Sequence, residues 1–189
     1  MVASSILPVT IVNGKLFFLF GKENEFEDSA KGFSDFGGRV EIGESIIDTA
    51  YREGSEELSG FLGGEEDIKA LIEQNGGFYE LSHGDYHVHI FYMTYDANLP
   101  KYFTNQHHFL WNRMDKQMLN NSKFFEKQEI RWFSMEDMKT RKDEFRPFYY
   151  AIVKKILSRI SAIRKFILAK SKMRSSLRKT RKYRTNKGG

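Results

Sequence analysis

Residues 37–63 read GGRVEIGESIIDTAYREGSEELSGFLG, and the second half of that stretch governs how the rest of the chain is understood. Arg52-Glu53-Gly54-Ser55-Glu56-Glu57 sets carboxylates at i, i+3 and i+4, so that on a helix Glu53, Glu56 and Glu57 project from one side. Like charges at those spacings cost a helix roughly 0.2 to 0.5 kcal/mol per pair. A divalent cation offsets the repulsion, because hard ions such as Mg2+ take carboxylate oxygens. A solvated acidic face is the plainer alternative, and what precedes the acids weakens it. Gly37-Gly38 lets bare backbone approach a ligand, Gly43-Glu44-Ser45 reads as a turn entering a helix, and Ile46, Ile47, Ala50, Tyr51 and Leu58 supply a buried stripe.

In register, these residues resemble the Nudix box, G-x5-E-x7-R-E-U-x-E-E-x-G-U, where U is a bulky aliphatic residue. Gly38, Glu44, Arg52, Glu53, Glu56 and Glu57 fall on its fixed positions. The resemblance implies an α/β fold, an α/β/α sandwich with a mixed sheet. It also implies Mg2+ or Mn2+ as cofactor, held by Glu53, Glu56, Glu57 and the Gly38 backbone carbonyl. Arg52 and Glu44 would orient those carboxylates, and Gly37 and Arg39 would lie against substrate. Three positions depart from the pattern: Gly54 stands for an aliphatic residue, Ser59 for glycine, and Gly60 for the last aliphatic residue. Gly54 is expected to cost about 1 kcal/mol of helix propensity relative to alanine. Gly60 is expected to supply a left-handed cap one residue late, with every carboxylate kept.

At 189 residues the chain suits one domain with a tail, residues 1–170 followed by 171–189. No cysteine is present, which excludes disulfides and thiolate metal sites. The start, MVASSILPVTIV, lacks a basic segment followed by a long apolar run, and no 18-residue apolar run occurs, so the expected setting is intracellular, cytoplasmic or nuclear. Charge is divided sharply. Residues 1–144 hold 15 of the 30 lysines and arginines and all 25 acids, whereas residues 145–189 hold the other 15 and no acid. An acidic body suits a site that recruits metal; a basic end suits phosphate-rich polymers, anionic membrane surfaces or a nuclear import receptor.

Asn13-Gly14 between residues 4–12 and 15–22 predicts a hairpin, and the run Phe17, Phe18, Leu19, Phe20 predicts strand burial on both faces. Residues 22–31 are polar and read as a loop over the site, and residues 33–36 as a short strand delivering Gly37-Gly38. After the box, residues 65–74 predict a helix ending at Asn75-Gly76-Gly77, and residues 78–81 and 86–95 predict strands. His87 and His89 share one strand face with Phe91 and Met93 and are candidates for substrate or core contact. Residues 97–127 form an insert with a helix expected around 105–119, and its Trp111 is a candidate to stack on a nucleobase or to pack in a core. Residues 129–133 predict a strand resembling a late Nudix segment, which makes Glu126 and Glu129 candidates for a further acidic ligand or base.

From Pro147 a single helix is expected to about residue 170, carrying Ile152, Ile156, Ile160, Ile163 and Ile167 on one stripe. Beyond it the basic tail is expected to be irregular, with Arg178, Lys179, Arg181, Lys182 and Arg184 able to contact nucleic acid or an import receptor. The implied activity is hydrolysis of a nucleoside diphosphate linked to another moiety. The basic end leans toward capped RNA, that is, mRNA decapping. A nucleotide- or RNA-binding module without catalysis is the alternative, and peripheral contact with an anionic membrane through the C-terminal helix is a third possibility.

Overall fold

The computed structural model describes residues 1–24, 31–115 and 125–185, with side chains as far as residue 174. Asn13 and Gly14 both take positive φ, 49° and 74°, as a two-residue type I′ turn requires. They join β1 (Ala3–Val12) to β2 (Lys15–Glu23) in an antiparallel pair running from Val12↔Lys15 to Val9↔Phe18. Beyond Val9 the two strands part. The fork between them is filled by β3 (Phe33–Ser34), which pairs with β2, and β4 (Phe36–Arg39), which pairs with β1 from Ile6↔Phe36 to Ala3↔Arg39. This splaying sets Gly37 and Gly38 at the mouth of the fork.

The expected strands after the box form β5 (Phe78–His83) and β6 (Tyr86–Tyr92), and β6 runs parallel to β1. On the other side, β7 (Lys127–Ser134) pairs antiparallel with β2, with a register shift between Lys22 and Glu23. The sheet is therefore mixed, with seven strands among the described residues. On one face lie α1 (Ile46–Glu57), α2 (Glu65–Gln74) and α3 (Leu99–Trp111). They enclose a core that includes Ile6, Leu19, Phe36, Tyr51, Ile72 and Phe91. The other face carries α4 (Met135–Thr140), α5 (Tyr149–Ser158) and α6 (Ile160–Thr185) over Leu7, Val9, Phe18, Phe20 and Phe133. The aromatic run of β2 is thus buried on both sides, Leu19 one way and Phe18 and Phe20 the other. The α/β/α sandwich holds.

Two helices differ from expectation. The insert's helix begins at Leu99, not near 105, because Pro100 occupies its first turn, where a missing N–H costs nothing, and it ends at Trp111. The rest of that expected helix, through residues 116–119, lies outside the described residues, as do residues 25–30 of the polar loop. The single C-terminal helix is two. Arg159, at φ −104° and ψ 10°, interrupts it, and the break lets α5 lie against β5 while α6 crosses β1 and β6. The isoleucine stripe spans the break: Ile152, Ile156, Ile163 and Ile167 are buried, with Ile160 packed at their edge. The backbone of α6 runs past residue 171, where an irregular tail was expected, to Thr185. No helix among the described residues is long and apolar enough to cross a membrane.

Candidate active site

Ser45 caps α1, its hydroxyl accepting from the Asp48 N–H at 3.2 Å, so the box helix starts where the turn signal placed it. Arg52 then gathers the acids. Its Nε donates to Glu44 at 2.6 Å, one terminal nitrogen donates to Glu53 at 2.8 Å and Glu56 at 3.2 Å, and the other to Glu44 at 3.0 Å and the Arg39 carbonyl at 3.2 Å. Planarity matters here, since a guanidinium can hold several carboxylates in fixed directions and an ammonium cannot. Those hydrogen bonds from Arg52, with others from Thr49 and the Glu41 N–H, hold the Glu44 carboxyl down at about 2. Glu44 is therefore an anchored anion between the glycine turn and the helix. Glu53 leans over Gly38 so closely that a Cβ there would lie 2.5 Å from either carboxylate oxygen, so any side chain at 38 would have to displace that carboxylate.

Each departure from the box has a structural cause. A Cβ on Gly54 would come within 2.5 Å of Ile6 Cδ1, so the Ile6 side chain of β1 fills the space beside this turn of the helix. Ser59 takes a left-handed φ of 51° and Gly60 one of 67°, so the helix stops through both, and the Gly60 N–H reaches the Ser55 carbonyl at 2.9 Å. The Ser59 hydroxyl also accepts from the Phe125 N–H at 3.1 Å. Phe125 is itself held at φ 76°, a strained value for a bulky residue, and its carbonyl accepts from the Asn24 side chain at 3.1 Å. A serine in the glycine position thereby ties the box to the loop before β7.

That loop delivers Lys127, which the sequence reading passed over. The lysine is fully buried, with its ammonium against Glu23, on the Ser34 hydroxyl at 2.8 Å, and 3.1 Å from Glu57. Glu57 is likewise buried. Its other oxygen accepts the Gly37 N–H at 2.7 Å, and burial raises its carboxyl while Lys127 draws it down. Burial works against the Lys127 charge, but Glu57 and Glu23 outweigh it and raise its pKa. Arg146 also pairs with Glu23, at 2.5 Å, and lies 4.8 Å over the Phe148 ring. The sequence did not join these residues, since Lys127 closes the 97–127 insert and Glu23 falls in the polar stretch 22–31. The bulge between Lys22 and Glu23 shifts the alternation that would have shown Glu23 facing it.

The other sequence candidates are dispersed. Glu126 bears electrostatically on Glu57, whereas Glu129 is engaged by Arg131 at 3.0 and 2.6 Å. His89 is buried, edge-on to Phe78 and 3.1 Å from the Ser5 carbonyl, and His87 sits by Glu80 at 3.1 Å. A cleft of about 350 Å³ is lined by Gly37, Gly38, Arg39, Tyr86, Arg146 and Phe148. A larger groove of about 720 Å³ runs between α3 and β7 past Asn24, His107, His108, Trp111, Glu129 and Arg131. The smaller one contains the glycine turn. Trp111 lies parallel to buried His107, ring centroids 5.8 Å apart, on the wall of the larger. The side chains of Arg178, Lys179, Arg181, Lys182 and Arg184 lie outside the described residues.

Among the described residues no three His, Asp or Glu side chains stand close enough to hold an ion as they are placed. The donors nonetheless fit one in kind. Glu53 and Glu56 are oxygen ligands on one helix face, and the bare Gly38 backbone lies directly below Glu53.

A family model described as NUDIX domain matches residues 2–156. No curated protein matches the chain. Among solved structures, a C. elegans Ap4A hydrolase in a binary complex is 15% identical, covering 85% of this chain and 97% of its own at a TM-score of 0.46. The M. smegmatis Nudix hydrolase RenU is 12% identical over 86% of this chain and 88% of its own, at 0.49. The NUDIX domain of Shewanella oneidensis NrtR, complexed with ADP ribose, is 11% identical over 85% and 88%, at 0.46.

Proposed function

Because this chain belongs to the NUDIX domain family, hydrolases of phosphoric anhydride bonds that generally use divalent cations, we propose that α1 and the glycine turn split a nucleoside diphosphate derivative. The products would be a nucleoside monophosphate and a phosphorylated remainder. One observation carries the reading: a single guanidinium collects Glu44, Glu53 and Glu56 beside a turn whose Gly38 lies directly against the Glu53 carboxylate.

Hydrolysis of an anhydride needs water in line with phosphorus and positive charge on the attacked and leaving oxygens. Mg2+ or Mn2+ held by Glu53, Glu56 and the Gly38 backbone supplies both when bound. The protein's own part is to keep the carboxylates oriented through Arg52, to offer Arg39 and Arg146 to phosphate oxygens in the smaller cleft, and to receive the water's proton. Glu53, Glu126 and Glu129 are the candidate acceptors, Glu53 being held by Arg52 and Glu129 by Arg131. The α3–β7 groove, with Trp111 on its wall, would take the ring of the substrate.

Within that class we favour capped RNA, supported by the concentration of 15 basic residues and no acid after residue 144. A nucleotide-binding module without catalysis is the second reading, favoured by the pairing of Glu57 with Lys127. Glu56→Gln separates the two. As an enzyme, the variant keeps its fold by circular dichroism and loses on the order of a hundredfold or more in turnover, as expected when a group acting on transition-state charge is removed. Equal turnover in wild type and variant would refute the catalytic assignment.

A further inference from the structure

Phe148 stands on the wall of the cleft that holds Gly37, Gly38 and Arg39, and it is 53% exposed. A single phenylalanine at the surface is ordinary. This one is fixed from several sides. The Phe33–Phe145 bridge, together with the Arg146 N–H donating to the Phe33 carbonyl at 3.1 Å, pins the chain leading to it against β3. Gly32 makes room for that approach, since a Cβ there would stand 2.6 Å from the Arg146 nitrogen. Pro147 restricts the backbone just before Phe148, whose own φ of −68° is helical, and buried Tyr149 meets its ring edge-on at 6.3 Å. The Arg146 guanidinium covers one face of the ring at 4.8 Å and is itself tied to buried Glu23. No ring or cation covers the other face among the described residues.

We infer that Phe148 is a stacking platform for a second nucleobase, so that the moiety joined to the nucleoside diphosphate is itself a nucleoside. The inference rests on the anhydride-cleaving reading of the glycine turn and deepens it by naming what lies on the far side of the bond. With one ring in the α3–β7 groove and phosphates on Arg39 and Arg146, the opposite end of the substrate comes to the wall that Phe148 forms. Tyr86 is the other aromatic side chain lining that cleft, and its hydroxyl is committed to Asp35 at 2.6 Å. Every base has a π face to lay on such a ring, whereas a sugar or an inositol phosphate has none. Because the phenylalanine is already held by its neighbours, little side-chain freedom is lost on binding, and the contact is realised as affinity.

Equilibrium titration of the full chain without divalent ion separates binding from turnover. GpppG has a base at each end of its phosphate chain and ADP-ribose at one end only, so the pair of probes isolates the second base. Phe148→Ala and Phe148→Leu should each weaken GpppG about tenfold or more, within the range for losing one stacked base, and change ADP-ribose by less than about twofold. Phe148→Trp should hold GpppG at least as tightly as wild type. Unchanged GpppG affinity in Phe148→Ala, a leucine variant equal to wild type, or an equal loss for both probes overturns the inference. Wild-type protein that binds neither probe overturns it as well. If the affinities behave as stated and added Mg2+ or Mn2+ brings no cleavage of GpppG, the anhydride-cleaving reading fails and the stacking site stands.

Discussion

Asp35 sits between β3 and β4 with its carboxylate fully buried, accepting from the Ser5 hydroxyl at 2.5 Å and the Tyr86 hydroxyl at 2.6 Å. Burial outweighs those hydrogen bonds and pushes its carboxyl up from 3.8 to about 6. A folded-state value above the unfolded one means that the native chain holds the extra proton. The resulting stabilisation is complete below about pH 4 and is lost as pH rises through about 6, roughly 3 kcal/mol in all. Replacing the acid by an amide removes the titration. Denaturant melts of wild type and Asp35→Asn should therefore diverge by about that amount between pH 4 and pH 7, wild type losing ground; parallel curves would rule Asp35 out. Nothing in the sequence marks this residue, because residues 33–36 read only as a short strand and its partner Tyr86 lies 51 positions away. Arg52, Glu53 and Glu56 were legible for the opposite reason: they lie within one helix, where spacing fixes direction, and Glu44 stands just before it.

At the level of elements the same distinction holds. Helix α1, helix α2 and the Asn13-Gly14 hairpin have boundaries set by local signals, and the structure reproduces them. The break at Arg159 is not local. It follows from where α6 must go to place Ile163 and Ile167 on β1 and β6, and an unbroken stripe of isoleucines carries no sign of it. Gly54 is similar: within the helix it is a weak residue, and only the passage of Ile6 across it explains the choice. A leucine at that position would drive Ile6 from its place, with a loss of about 1 to 3 kcal/mol expected from overpacking. Ile6→Ala should recover much of it. A thermal-denaturation cycle on Gly54→Leu, Ile6→Ala and the double variant checks the coupling, and strictly additive effects would show that the two residues do not compete for space.

Over the whole molecule, charge is segregated along the chain, with an acidic body that carries the box and a basic final quarter. The sheet explains how the two halves are joined: α5 and the start of α6 cover the face opposite α1, so the basic end departs from the side of the domain that does not carry the carboxylates. A polymeric substrate is long enough to reach both, and a small one is not. Deleting residues 175–189 leaves the described packing of α6 intact and should weaken turnover of capped RNA several-fold, more so at low salt, while sparing a free cap dinucleotide. An equal effect on both substrates would remove the argument for RNA. The larger claim is that the turn and helix around Gly38 cleave an anhydride at all. Its most direct test is phosphorus NMR of a panel of nucleoside diphosphate derivatives, capped RNA included, incubated with the protein and Mg2+ or Mn2+. The account predicts metal-dependent loss of the diphosphate resonances of at least one member, with a nucleoside monophosphate appearing alongside a phosphorylated remainder. Intact diphosphates throughout the panel, in the presence of folded protein and either metal, would contradict it.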